Sequence, residues 1–131
     1  MQRASIMTET RFREAVDQLR GNVQSAKAVV LIGPDGIMLD HTSFDPSFDA
    51  EAFSAEYAML LRIAERTSDD TGSGSISEHI MTSERAIMIS RRFASNHYLV
   101  LLADANDQIG RARYELRRAA WYLEQTMHAR R

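Results

Sequence analysis

Cysteine is absent from the 131-residue chain. Neither a disulfide framework nor a thiolate metal cage is therefore open to it, nothing requires an oxidising compartment, and a cytoplasmic location is the default expectation. Long apolar runs are missing too. Runs such as residues 28–32 have the length of a strand, far short of the roughly 20 residues that a membrane-spanning helix needs. The N-terminus Met1-Gln2-Arg3-Ala4-Ser5-Ile6 lacks the apolar core of a secretory leader, so the reading is a soluble protein without direct membrane insertion. Lysine occurs once, at Lys27, and the isoelectric point is near 6.1. Nucleic-acid binding gains little support from that balance.

Catalytic and cofactor motifs are missing as well. His41, His79, His97 and His128 show neither His-x-x-x-His nor His-Glu-x-x-His spacing, so no metal site is expected and each reads as a surface or turn histidine. Gly72-Ser73-Gly74-Ser75-Ile76 does not form a Gly-x-Ser-x-Gly elbow and precedes a strand rather than following one. Gly33-Pro34-Asp35-Gly36 is followed by a strand pattern and by no Gly-Lys-Ser/Thr, which argues for a turn against a phosphate loop. Asp45, Asp49 and Glu51 could be imagined as a carboxylate site, yet they approach a helix start, where acids favour the positive end of the dipole. No catalytic residue, cofactor or metal is expected.

What is present is one core's worth of apolar residues, 44% of the chain against 26% charged, with a net charge of -2. One domain over 1–131 is the expectation. Charge is uneven. The segment 35–79 carries ten acids against Arg62 and Arg66, whereas the C-terminal segment holds Arg111, Arg113, Arg117, Arg118, Arg130 and Arg131. The ordinary reading makes both solvated faces; a dedicated electrostatic patch is the alternative.

Along the chain, Thr8 is a plausible N-cap for a helix whose stripe is Phe12, Val16, Leu19 and Val23, ending near Gln24 or Ser25. Residues 27–32 read as a strand covered on both faces, and Gly33-Pro34-Asp35-Gly36 turns it into a hairpin with Ile37-Met38-Leu39. From 49 to about 68 the period is helical. Phe53, Tyr57, Leu60, Leu61 and Ala64 form a sheet-facing stripe, and Ala52, Met59 and Ile63 a second, flanking one. Such surplus apolar surface either widens the core contact or meets another chain.

Residues 69–74 form a loop, and three strand-like runs follow at 75–81, 86–91 and 98–102, joined by short polar gaps that imply an antiparallel meander. The third strand alternates most clearly and is the expected edge. A last helix should start at an Asp107 N-cap and run to about Met127, with Ile109, Ala112, Leu116, Ala119, Ala120, Leu123 and Met127 on its core face. Tyr114 and Trp121 fall on a flank beside Arg117 and Arg118. The ordinary expectation packs them against the first helix; the alternative is an Arg/aromatic patch for a partner.

The hairpin sequence 28–39, the long helix with small alanine positions, the three strands and the closing helix together resemble the roadblock/dynein light chain family, over about residues 8–127. Longin and profilin-like domains share a related sheet. The resemblance implies an α+β, profilin-like order α-β-β-α-β-β-β-α: a five-stranded antiparallel sheet with one long helix on one face and two helices on the other. It also implies a homodimer, or a heterodimer with a related chain, through the middle helices and the third strands. Ala52, Met59, Ile63, Ile76, Glu78 and Ile80 are then the expected dimer contacts.

Roadblock-like proteins bind and regulate small Ras-like GTPases, some bacterial members as GTPase-activating proteins; others are adaptors of dynein or of lysosomal signalling scaffolds. The resemblance thus implies a non-enzymatic regulatory or scaffold subunit for a small GTPase, with stimulation of hydrolysis left open. The alternatives are an adaptor without GTPase involvement and a small-ligand sensor or enzyme. Arg62 and Arg66 are the exposed arginines an arginine finger would need. The family's activators are thought to remodel the GTPase instead, so the two are expected as contacts only, with Tyr114, Arg117, Arg118 and Trp121 as a further partner-binding set.

Overall fold

The computed structural model describes the backbone of residues 2–129 and the side chains of residues 9–127. The apolar run after Ser25 becomes β1 (Ala26–Ile32), which turns at Gly33-Pro34-Asp35-Gly36 into β2 (Met38–Ser43). Gly36 donates its N–H to the Gly33 carbonyl at 2.9 Å and holds φ at +82°, a conformation glycine adopts without steric penalty. After the middle helix come β3 (Glu78–Thr82), β4 (Ala86–Phe93) and β5 (His97–Asp104). The sheet order is β2-β1-β5-β4-β3, antiparallel throughout. As expected, β3 is an edge.

Alternation along the central strands divides the core in two. Val29, Leu31, Leu99 and Leu101 face α1 (Gln2–Asn22) and α3 (Ile109–Ala129), whereas Val30, Ile32, Tyr98 and Val100 face α2 (Ala50–Asp70). A strand buried on both sides has to read as a continuous apolar run, which is why β1 does. On the larger side, Phe12, Val16 and Leu19 of α1, with Val23 just past its end, meet the sheet and the small-residue face Ala112, Leu116, Ala119, Ala120 and Leu123 of α3. The two helices are stitched antiparallel by Asn22 Nδ2 donating to Glu115 Oε1 at 3.2 Å and by Tyr122, whose hydroxyl accepts from Arg11 and donates to Glu14.

Helix α2 is closed at both ends by local chemistry. Asp49 caps it, Oδ1 accepting the Ala52 N–H at 3.1 Å. At the other end Gly72 N–H reaches Asp69 O and Ser73 N–H reaches Ser68 O, with Gly72 at φ +73°; this is a Schellman closure. Its Tyr57, Ala58 and Leu61 are buried against the sheet.

Four local expectations need correction. Helix α1 begins at Gln2, so Thr8 lies inside it: nothing in Arg3-Ala4-Ser5-Ile6-Met7 stops a helix. Asp107 does not cap α3 through its own carbonyl, since the first intrahelical bond runs from Ala112 N–H to Gln108 O, while its carboxylate takes Gln108 N–H and the Ser25 hydroxyl. Ile109, the first residue of α3, is 38% exposed rather than core. Finally, Ile37 belongs to the turn, and β2 carries a bulge: Ile32 lies opposite Met38 and Leu31 opposite Asp40. The extra residue, Leu39, is swung out to 53% exposure.

Candidate protein-docking surfaces

Three surfaces and one cavity stand out. The first is the outer side of α2. At 100° per residue Met59 and Ile63 lie opposite Tyr57 and Leu61, and each is 60% exposed. Ala52 is exposed on the same side, as is Arg66. The second apolar stripe is therefore not a flank that widens the core contact; it is the pole of the helix furthest from the sheet.

The second surface is the β3 edge, which α2 reaches through the Tyr57 side chain. Ile80 is 39% exposed and faces the α1/α3 side, opposite Ile89. Glu78 is committed within the chain, its carboxylate gripping the Arg113 guanidinium through Oε1 at 2.7 Å and 3.1 Å. His79 turns to the other face, where Nδ1 and the Tyr57 hydroxyl are 2.9 Å apart. Partial burial holds the His79 imidazole below its ordinary range, and burial pushes the Tyr57 phenol up to about 12. Ile76 was expected within the strand but precedes it. Its N–H is held at 3.1 Å by Glu65 Oε1, which also accepts the Tyr98 hydroxyl at 2.5 Å. One carboxylate thus fastens the approach to β3 onto α2; burial first, then this carboxylate, raise the Tyr98 phenol well above its ordinary range.

The cavity, about 330 Å³, opens between the β1–β2 turn, the Arg62 side of α2 and the turn before β5, with Ile32, Leu61 and Tyr98 at its apolar floor. Arg62 lies over Gly36: a Cβ there would sit 3.4 Å from its Nη2. Sequence reasoning missed this hollow, because its walls come from separate segments and no spacing connects them. Among the described residues no group of three His, Asp or Glu could hold a metal ion.

The third surface is on α3. Tyr114 and Trp121, 55% and 62% exposed, do not pack against α1. The ring that does so is Tyr122. A phase error of one residue on the helix separates the two outcomes. Tyr114, Arg117, Arg118 and Trp121 line a shallow groove of about 370 Å³ on the outer side of the helix. The structure brings these four together as the sequence placed them, but on the opposite face of the sheet from Met59, Ile63, Arg62 and Arg66. The twelve expected contact residues thus fall into two groups, on α2 with the β3 edge and on α3.

The family model described as the Roadblock/LC7 domain matches residues 12–103. An uncharacterized protein of Methanocaldococcus jannaschii, MJ0310, is 28% identical over 99 residues, covering 74% of this chain and 83% of that protein. Among solved structures, MglB of Myxococcus xanthus superposes with a TM-score of 0.84 at 16% identity, over 92% of this chain and 90% of that one. MglC of the same organism gives 0.62 at 28% identity, over 88% and 98%. No helix among the described residues is long and apolar enough to cross a membrane.

Proposed function

Since the chain belongs to the Roadblock/LC7 domain family, we propose that it works as a dimer that binds a small Ras-like GTPase as a regulatory or scaffold subunit. The observation that carries this reading is the apolar pole of α2, Met59 and Ile63, held away from the sheet in a chain whose β3 is also a free edge. A helix that has already buried one apolar face has no use within its own core for a second. A free edge strand likewise carries unpaired backbone groups that pairing with a second copy would satisfy.

In this reading Ala52, Met59 and Ile63 pack on the same helix of a second copy or a related chain. The β3 edge, with Ile76, Glu78 and Ile80, runs against its counterpart. Glu78 contributes backbone rather than side chain, because its carboxylate is taken by Arg113. Arg62 and Arg66, one turn apart and without an ion pair among the described residues, sit at the margin of the pole and act as contacts to the acidic or phosphate-bearing surface of a GTPase. The α3 set, Tyr114, Arg117, Arg118 and Trp121, faces a different partner from the opposite side.

The test is binding to Ras-like GTPases of the same organism, loaded in turn with GDP and a non-hydrolysable GTP analogue, with turnover of GTP measured in parallel. Binding that depends on the nucleotide and weakens in Arg62→Ala/Arg66→Ala supports regulation, and faster turnover would add activation. Equal binding in both nucleotide states, or none, would leave an adaptor without GTPase involvement.

A further inference from the structure

Helix α3 has an outward face of unusual composition. Arg111, Arg117 and Arg118 are exposed and unpaired by any ion pair among the described residues. The two carboxylates on the helix are turned elsewhere: Glu115 is buried against Asn22, and Glu124 accepts the Ala94 N–H at 2.7 Å. Between Ile109 and Met127 the exposed charged side chains are therefore all arginines.

Two large aromatic rings stand in the middle of it. Tyr114 and Trp121 are two turns apart, about 10 Å along the axis. Arg117 and Arg118 lie between them in sequence and, at 100° per residue, on opposite sides of the line that joins them. The groove these four residues line therefore has an aromatic at each end and a guanidinium along each side.

From this geometry we infer that α3 docks an acidic amphipathic helix of a partner protein, its apolar residue seated between the two rings and its carboxylates on both flanks meeting Arg117 and Arg118. Exposed Trp, Tyr and Arg are the side chains that contribute most where a partner covers them, and guanidinium pairs carboxylates in a directed way. An anionic bilayer fits less well. Beside α3 on the same face of the sheet, α1 exposes Glu9, Glu14 and Asp17 interspersed with Arg13 and Arg20, so the single-sign basic surface is only as wide as α3 and matches a narrow helix better than a flat bilayer. The inference goes beyond the GTPase reading and stands on the other side of the sheet; with both surfaces occupied, the chain would join two different partners.

Trp121 is the single tryptophan of the chain, so the site carries its own reporter. The probe is an 18-residue synthetic helix with a leucine stripe flanked by glutamates, titrated into the full chain while tryptophan emission is followed. The expected result is a saturable blue shift at micromolar peptide that weakens as salt rises, and at least about tenfold weaker binding in Arg117→Glu/Arg118→Glu. Met59→Glu/Ile63→Glu should leave the titration unchanged, which separates this surface from the α2 reading. Trp121→Phe, followed through a fluorophore on the peptide, tests the ring without the reporter and should weaken binding at an unchanged melting temperature. An equal shift with lysines replacing the glutamates or with a scrambled peptide would overturn the inference. So would a shift seen only with phosphatidylglycerol vesicles, insensitivity to Arg117→Glu/Arg118→Glu, or no shift at millimolar peptide.

Discussion

Replacing both Met59 and Ile63 by glutamate is expected to yield a folded monomer. Full burial of a Met or Ile side chain is worth about 1.5–3 kcal/mol. Each is 60% exposed in the single chain, so covering the remainder contributes about 1–2 kcal/mol per side chain. A two-fold contact uses each residue once per protomer, giving about 4–7 kcal/mol for the four side chains. Losing that amount weakens dimerisation by about 10³- to 10⁵-fold, before the repulsion among four carboxylates held against one another is added. The assay is molar mass by light scattering over a concentration series, with far-UV circular dichroism to verify folding. The companion substitution Leu61→Ala, at a position only 3% exposed, should behave oppositely, costing about 2–5 kcal/mol of stability through the cavity it leaves. A dimer of unchanged mass in the double glutamate variant would refute the reasoning. Loss of helical signal there would refute it too, by showing that the outer pole is part of the core.

Other perturbations probe the parts that hold these surfaces in place. Asp49→Ala removes the α2 cap and should cost about 1 kcal/mol in urea denaturation, with Asp49→Asn nearly neutral. Because burial raises the Tyr57 phenol from its ordinary 10.0 to about 12, folding favours the neutral form. Stability should be intact below pH 10 and fall by on the order of 2–3 kcal/mol as pH rises towards 12, a slope that Tyr57→Phe reduces in a melting series and that Tyr98 reinforces. His79 and His97 are both shifted downwards by burial, so stability should also fall as the medium is acidified through the ordinary histidine range; His79→Gln should flatten part of that limb in an acid melting series.

The elements most legible in the sequence were those whose local chemistry and burial agree. β1 reads as a doubly covered strand and is one; Gly33 to Gly36 reads as a turn and closes with the Gly36–Gly33 bond; Asp49 reads as a cap and accepts Ala52 N–H. Periodicity also found the stripe Met59 and Ile63, but not how far from the sheet it lies, since a helix contacting a single layer fixes its rotation by packing that spacing alone does not contain. The same ambiguity sent Tyr114 and Trp121 to the wrong neighbour, when Tyr122 makes that contact. The bulge at Leu39 depends on counting residues on two strands at once, and Ile76 is held outside β3 by a carboxylate eleven positions away. No local pattern records either.

The strand order has a bearing on how the chain acquires its shape. β1 finds its second neighbour in β5, with Ala28 opposite Leu102 and Ile32 opposite Tyr98, so the most apolar strand waits for nearly the whole polypeptide before both its edges are paired. Closing so long a loop is slow compared with forming a hairpin. Until synthesis reaches residue 104, Val29 to Ile32 would lie beside an open edge, exposed to any other unfinished strand. Refolding from urea should therefore show rapid helix formation followed by a slower step when β5 inserts between β1 and β4. Shortening the chain before β5 should produce aggregates rather than a smaller folded unit.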